Sequence, residues 1–228
     1  MALNLVAPDE AKAQLQKLKA KRGYLLPHHG LLALTAPKLL AAYDDTYSAL
    51  TLESRTLDER VKEIIWVGIL VATNEGIAVH HLRRLTAAGG SEEEAAAAIR
   101  LAAFGRCAPS FKFVEDHWQR NLTNYDRETA YSSALAALCR EQPLDNRVVE
   151  MVMAAVHTCL YQHWELALHI RRSYQIGIPE IALAEALSLT MFPASVPYFV
   201  EACGVWQKLI KEGQVPASES LRAWAEIS

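Results

Sequence analysis

Apolar residues recur every three or four positions along most of the chain, and alternating stretches are scarce. This spacing is typical of amphipathic α-helices, because about 3.6 residues complete one helical turn. Good helix formers such as Ala, Leu, Glu and Arg dominate the same stretches. The pattern therefore predicts an all-α protein.

One unit of this pattern occurs twice. The segment 57–63, Leu-Asp-Glu-Arg-Val-Lys-Glu, returns at 144–150 as Leu-Asp-Asn-Arg-Val-Val-Glu. The segment 81–84, His-Leu-Arg-Arg, returns at 169–172 as His-Ile-Arg-Arg, after one extra residue. In each copy one helix is expected to carry the glutamate, and a second helix, after a short polar break, the histidine and arginines. The repeat predicts two similar helical halves packed with pseudo-twofold symmetry.

The repeat also sets the expected boundaries along the chain. Residues 1–50 are predicted to form N-terminal helices and an entry loop, the loop lying at 25–30 between Pro- and Gly-containing sequence. The first repeat is placed at 51–125. The second is placed at 126–228 and begins with a helix over about 130–140.

Composition narrows the function classes. A hydrophobic content of 51% supports a large core, and a net charge of -3 gives no reason to expect nucleic-acid binding. No apolar run approaches the roughly 18 residues needed to cross a membrane. The four cysteines are far apart and form no C-x-x-C pair, which favours a reduced, cytoplasmic setting.

Candidate chemistry lies in the second copy. Glu150 stands in a strongly apolar helix, while Glu165 and His169 are one helical turn apart on the next helix. A carboxylate beside an imidazole can orient it for proton transfer. We expect Glu150, Glu165 and His169 to form an acid–base trio. The alternatives are a surface pair of Glu165 and His169 contributing only ~0.2–0.5 kcal/mol, and an interior Glu150 paired with an arginine.

Side chains around this trio are expected to bind substrate. The helical face of Glu150 continues through His157 and Tyr161, which are interpreted as pocket lining. Arginine binds carboxylates through a two-pronged fork, so the pair 171–172 is a candidate anion site, with a solvated or ion-paired face as the alternative. The predicted substrate-binding residues are His157, Tyr161, Gln162, Trp164, Arg171 and Arg172.

The first copy is expected to be mainly structural. Glu63 and His81 remain, but Ile77 occupies the place of the second carboxylate. His80 and His81 lack further ligands at a suitable spacing, so no metal site is predicted.

The repeated elements resemble the carboxymuconolactone decarboxylase and alkyl hydroperoxidase D-like family. The resembling order is Leu-Asp-x-Arg-Val-x-Glu, a break, a His followed by Arg residues and Gly, then an acidic helix start, found at 57–94 and 144–185. The redox branch of that family has two cysteines between the Glu and the His. Here those places hold Asn74 and Ile77 in one copy and Gln162 and Glu165 in the other.

The resemblance without cysteines implies a decarboxylase-like branch. It implies acid–base chemistry on a small organic acid or lactone with no cofactor: His169 moves the proton, Glu165 orients it, and buried Glu150 is a second acid or base. Peroxidase activity and a non-catalytic binding or assembly role are the alternatives. Because single-repeat members of the family form trimers or hexamers of stacked units, the resemblance also implies a homo-oligomer, with a trimer preferred and a dimer next.

Overall fold

A computed structural model describes residues 5–227 of the chain. The regular secondary structure within those residues is helical, as the hydrophobic pattern predicts. The chain divides into two compact units, one ending at Glu53 and the other starting at Ser54. No helix in the described range is long and apolar enough to cross a bilayer.

The N-terminal unit contains three helices, each with a proline in its first turn: α1 (Pro8–Arg22), α2 (Pro27–Thr35) and α3 (Pro37–Tyr47). A π-helical turn, Ser48–Leu52, follows α3. The entry loop predicted at 25–30 is wrong, because α2 begins at Pro27. The His29 ring accepts the Leu26 backbone N–H at 3.0 Å and so caps the start of that helix.

The C-terminal unit contains ten further helices. They are α4 (Glu59–Thr73), α5 (His80–Ala87), α6 (Glu92–Cys107), α7 (Pro109–Trp118), α8 (Arg127–Leu138), α9 (Asn146–Cys159), α10 (His163–Gln175), α11 (Glu180–Ser188), α12 (Val196–Lys211) and α13 (Glu219–Ala225). A 3₁₀ turn, Leu189–Met191, joins α11 to the segment before α12.

Local sequence explains where the two central helices, α4 and α9, begin. Asp58 and Asp145 are their N-caps and accept backbone N–H groups of Val61 and Val148 at 2.9 and 3.0 Å. Such caps satisfy N–H groups that have no partner inside the helix. Both helices therefore start one residue after an aspartate, which places each glutamate of the repeat in the second helical turn.

The core of the C-terminal unit forms where α4 and α9 pack on each other, flanked by α6 and α10. Glycine permits the close approach. A Cβ added at Gly68 of α4 would lie 2.8 Å from a Val152 methyl group, and one at Gly105 of α6 would lie 2.6 Å from a Val156 methyl group. The glutamate of α4 and that of α9 are thus carried by helices that touch each other.

Candidate functional site

The centre of the candidate site is a contact between α9 and α10. His169 Nδ1 is hydrogen-bonded to Glu150 Oε2. The His169 side chain is fully buried, whereas 12% of the Glu150 side chain is exposed. Glu150 and His169 therefore meet as the sequence predicts, and it is the carboxyl group that reaches the surface.

The other nitrogen of His169 faces Tyr131, a residue of α8 that sequence analysis did not select. The Tyr131 hydroxyl lies 2.6 Å from His169 Nε2 and 2.7 Å from His157 Nε2. Its ring is fully buried and packs against Phe104 and Phe111 at centroid distances of 5.1 and 5.6 Å. An aromatic residue in the Ala- and Ser-rich sequence of α8 was the available signal, but nothing in that sequence indicates its partners.

His157 extends the contacts toward α10. Its Nδ1 lies 2.5 Å from the side-chain Oε1 of Gln162, the residue that precedes α10. Hydrogen-bonded groups thus run without interruption from Glu150 through His169, Tyr131 and His157 to Gln162. We call these five residues the polar chain. Its three middle members are fully buried, and its two ends are partly exposed.

Burial determines the charge of the middle of this chain. Desolvation, and secondarily the nearby His169, lower the pKa of His157 well below its usual value. Desolvation also raises the pKa of Tyr131, followed by repulsion from Glu150 and Glu165. A buried charge that lacks a compensating partner is costly, so His157 and Tyr131 are neutral near pH 7.

The two arginines of α10 have different surroundings. Arg172 Nη1 lies 3.8 Å from Glu150 Oε1, and its other amino group is hydrogen-bonded to Ser132. Arg171 instead pairs with Glu128 at 3.0 Å, on a more exposed surface. Arg172 is therefore beside the exposed edge of the polar chain, whereas Arg171 forms a surface ion pair.

Glu165 does not have the role that its spacing predicts. His169 is oriented by Glu150 and Tyr131, and Glu165 is not among its hydrogen-bond partners in the described part of the chain. The His169 hydrogen bonds instead join α10 to α8 and α9, and the influence of Glu165 on His169 is through charge alone. Glu165 is itself buried, and desolvation raises its pKa.

Tyr161 also departs from the prediction. It lies beyond the end of α9 with a φ of 58°, a left-handed conformation that ends the helical face on which His157 lies. Its ring is half-exposed and packs on His163 and Tyr198. Trp164 does adjoin the polar chain, since its ring meets Tyr131 edge-on at a centroid distance of 5.7 Å.

The first copy contains a similar but more enclosed pair. His81 Nδ1 lies 2.6 Å from Glu63 Oε2, and both side chains are almost completely buried. The Trp66 ring stacks on the imidazole at 4.3 Å. Burial raises the pKa of Glu63 to about 8 and lowers the pKa of His81 to about 3. At neutral pH the pair is therefore uncharged, with the proton on the carboxyl group.

The first copy also has an apolar groove at its break between α4 and α5. Its volume is about 470 Å³, and its lining residues are Val67, Leu70, Val71, Asn74, Glu75, Gly76, Ala78, Val79, Leu82 and Ile99. His169 is not among them. The groove therefore does not supply the substrate pocket that sequence analysis places beside His169.

Thiol groups do not contribute to the polar chain. Cys159, at the end of α9, is buried, and desolvation raises the pKa of its thiol. All four cysteines are free. A buried thiol with a raised pKa is a poor nucleophile, since the thiolate is the reactive form.

Comparison with known protein families gives a match. The sequence model of the carboxymuconolactone decarboxylase family matches residues 37–114. This stretch includes Glu63 and His81 and ends before Tyr131 and the rest of the polar chain. No curated protein and no solved structure matches the chain.

Proposed function

We propose that the protein catalyses cofactor-independent proton transfer, such as decarboxylation, on a small organic acid or lactone. The observation that carries this proposal is the polar chain, in which a partly exposed carboxyl group is connected to two buried histidines and a tyrosine. The family match at 37–114 supports a decarboxylase-like class. The reaction and the substrate of this protein are part of the proposal.

The geometry favours Glu150 as the group that touches substrate. Both ring nitrogens of His169 are engaged inside the protein, so His169 acts from behind the carboxyl group. Arg172, 3.8 Å from the second Glu150 oxygen, is placed to hold a substrate carboxylate through its guanidinium fork. Glu165 is a second proton donor, because burial favours its protonated form.

The proposed reaction balances with these groups alone. A substrate carboxylate beside a carbonyl or lactone leaves as carbon dioxide, and its bonding electrons form an enolate. The protonated Glu150 carboxyl group then donates its proton to the enolate carbon and becomes a carboxylate. His169, in contact with Glu150, stabilises the resulting negative charge. One proton from solvent restores the starting state.

Two further proposals concern architecture. The chain is a tandem repeat, which is supported by the common order of α4–α7 and α9–α12 and by left-handed residues at both breaks, Asn74 (φ 56°) and Tyr161 (φ 58°). The second proposal is that the chain forms a homo-oligomer, with a trimer preferred over a dimer. Half-exposed apolar side chains around the groove of the first copy, such as Ile77 and Val79, support association.

The alternatives have less support. A peroxidase of the related redox type needs a reactive thiol and a second thiol that forms a disulfide with it after oxidation. Cys159 is buried and free, and burial raises the pKa of its thiol. A binding or assembly module would bind its partner through surface residues and would not need the polar chain. Binding of small carboxylates with no conversion, unchanged by substitution of Glu150, would support that alternative.

A substrate panel tests the proposal. Small organic acids and lactones, carboxymuconolactone among them, are incubated with the protein, and carbon dioxide release and product are measured. Glu150→Gln keeps the shape but removes the acid, and is expected to lower kcat by about 10²–10⁴-fold. Glu63→Gln is the matched control at the equivalent place in the first copy and should retain activity. Equal rates in wild type and Glu150→Gln would overturn the proposal.

A further inference from the structure

The Tyr131 hydroxyl lies between two imidazole nitrogens but has one hydrogen to donate. It lies 2.6 Å from His169 Nε2 and 2.7 Å from His157 Nε2, and all three side chains are fully buried. A phenol donates one hydrogen bond and accepts others. Tyr131 must therefore donate to one histidine and accept an N–H from the other. The two imidazoles cannot have independent tautomers.

This requirement allows two proton arrangements. In the first, Tyr131 donates to His157 Nε2, His157 carries its hydrogen on Nδ1, and His169 carries a hydrogen on Nε2. The His169 Nδ1 position then shares a further proton with Glu150. In the second, every donor direction is reversed: Tyr131 donates to His169 Nε2, His157 carries its hydrogen on Nε2, and His169 Nδ1–H donates to a Glu150 carboxylate.

The two arrangements differ by one proton. Starting from the first, the Glu150 proton passes fully to His169 Nδ1, and the His169 Nε2 proton passes to the Tyr131 oxygen. The Tyr131 proton passes to His157 Nε2, and the His157 Nδ1 proton leaves toward solvent at Gln162. The result is the second arrangement, with Glu150 ionised. Glu150 is thus an acid in one arrangement and a base in the other.

Gln162 lies at the His157 end of the polar chain. Its Oε1 lies 2.5 Å from His157 Nδ1, and an amide oxygen accepts only from an Nδ1–H. This contact corresponds to the first arrangement. A half-turn of the amide would present its NH₂ group and require the second arrangement. Gln162 is partly exposed, and the Tyr131 contacts to the two histidines do not involve its amide.

We propose that the side-chain amide of Gln162 sets whether Glu150 acts as an acid or a base, through the hydrogen bonds of His157, Tyr131 and His169. Gln162, His157 and Tyr131 are positioning residues in this inference, which deepens the proposed function. Besides the two histidines bonded to it, the charged or titratable side chains acting on the Tyr131 hydroxyl are Glu150, Glu165, Arg172 and Cys139. None of these four groups is altered by the substitutions below.

Histidine tautomers can be measured by ¹⁵N NMR without a substrate, so the test is independent of the proposed reaction. Wild type and Gln162→Glu, which offers only acceptors, should show His157 protonated at Nδ1 and His169 protonated at Nε2. Gln162→Lys, which offers only donors, should move the His157 hydrogen to Nε2 and leave His169 Nε2 without one. Resonances are assigned with His157→Gln and His169→Gln variants.

Tyr131→Phe separates a relayed effect from the charge of the new lysine. With the hydroxyl removed, Gln162→Lys should still change His157 but should no longer change His169. If His169 keeps its tautomer in Gln162→Lys alone, the inference is overturned. It is equally overturned if wild type has Nδ1–H on both neutral histidines, because Tyr131 cannot donate to two acceptors.

Discussion

The pair Glu63–His81 and the pair Glu150–His169 consist of the same residue types on helices of the same order, yet their surroundings differ. Trp66 stacks on His81, whereas Tyr131 is hydrogen-bonded to His169. Glu63 is fully buried, and its Oε1 has no hydrogen-bond partner within residues 5–227. Glu150 has partial exposure and an arginine 3.8 Å away.

These surroundings decide what each carboxyl group can do. An ionised Glu63 would leave a buried, unpaired oxygen carrying charge, so the proton stays on the carboxyl group up to about pH 8. The Trp66 ring, which stacks on His81, has no group at the contact face that could pass a proton onward from the imidazole. In the second pair, hydrogen-bonding groups continue on both sides of His169. The comparison teaches that a glutamate–histidine contact is a structural element when sealed and a candidate acid–base group when connected.

The largest expected effect separates the two histidines. His169→Asn should lower activity on any converted substrate by about 10²–10⁴-fold, because Glu150 loses the group that exchanges its proton. His81→Asn should leave kcat nearly unchanged and lower stability. Steady-state rates and urea unfolding of both variants provide the measurement. A large loss of kcat in a stably folded His81→Asn protein would break the comparison.

The next effect tests the contact between the helices that carry the two glutamates. Gly68→Ala places a Cβ 2.8 Å from a Val152 methyl group, and the resulting shift should cost about 1–3 kcal/mol of unfolding free energy. The matched control is Gly204→Ala in α12, where no atom lies within 4 Å of the new Cβ. That change should be neutral or stabilise by up to about 1 kcal/mol. Equal unfolding free energies in the two variants would contradict close packing at Gly68.

A pH profile should reveal the sealed pair. The folded protein keeps a proton on Glu63 up to about pH 8, whereas the unfolded chain releases it near the ordinary pKa of 4.5. The contribution of Glu63 to the free energy of unfolding therefore falls as the pH rises from about 4.5 to 8. His81, lowered to about 3 from 6.5, adds stability as pH rises through that range. The two effects offset between about 4.5 and 6.5. Above 6.5 only Glu63 acts, at up to about 1.4 kcal/mol per pH unit.

Urea unfolding of wild type between pH 6.5 and 8 should therefore show falling stability, and Glu63→Gln should flatten the curve. A wild-type curve that is flat in this window would mean that Glu63 is ionised in the folded protein.

The smallest effect distinguishes the two arginines of α10. Arg171→Gln removes a partly exposed ion pair with Glu128 and should change the unfolding free energy by less than about 1 kcal/mol, with KM unaffected. Arg172→Gln should raise KM for a carboxylate substrate, since it lies beside Glu150. A raised KM in Arg171→Gln alone would indicate that the substrate binds beside Arg171 and Glu128, away from Glu150.

Local signals in the sequence predicted most of the helices. Aspartate caps mark the starts of α4 and α9, and Ser91 with Glu94 forms a capping box at the acidic start of α6. The misplaced loop at 25–30 came from reading Pro27 and Gly30 as breakers, although a proline suits the first helical turn. The domain boundaries at 1–50, 51–125 and 126–228 remain a prediction.

The candidate site was predicted only as far as residues close in sequence could indicate it. Glu150 and His169 were selected because the same residue pair recurs as Glu63 and His81, with a separation of 19 residues in place of 18. Tyr131 could not be selected, because its partners come from two other helices and its own helix lies outside the repeated motif. A direct hydrogen bond from Glu165 to His169 was expected from spacing alone, whereas the partners of His169 come from the neighbouring α8 and α9.

The start of α10 has a consequence for protein engineering. Gln162 precedes the helix and Glu165 lies in its first turn, where unpaired backbone N–H groups favour negative charge. Two cysteines introduced there would form a C-x-x-C dithiol whose first thiolate is stabilised by the helix. We expect Gln162→Cys combined with Glu165→Cys to turn a scaffold proposed to transfer protons into one that cycles between dithiol and disulfide. A change of two side chains would then replace one class of chemistry with another on an unchanged backbone.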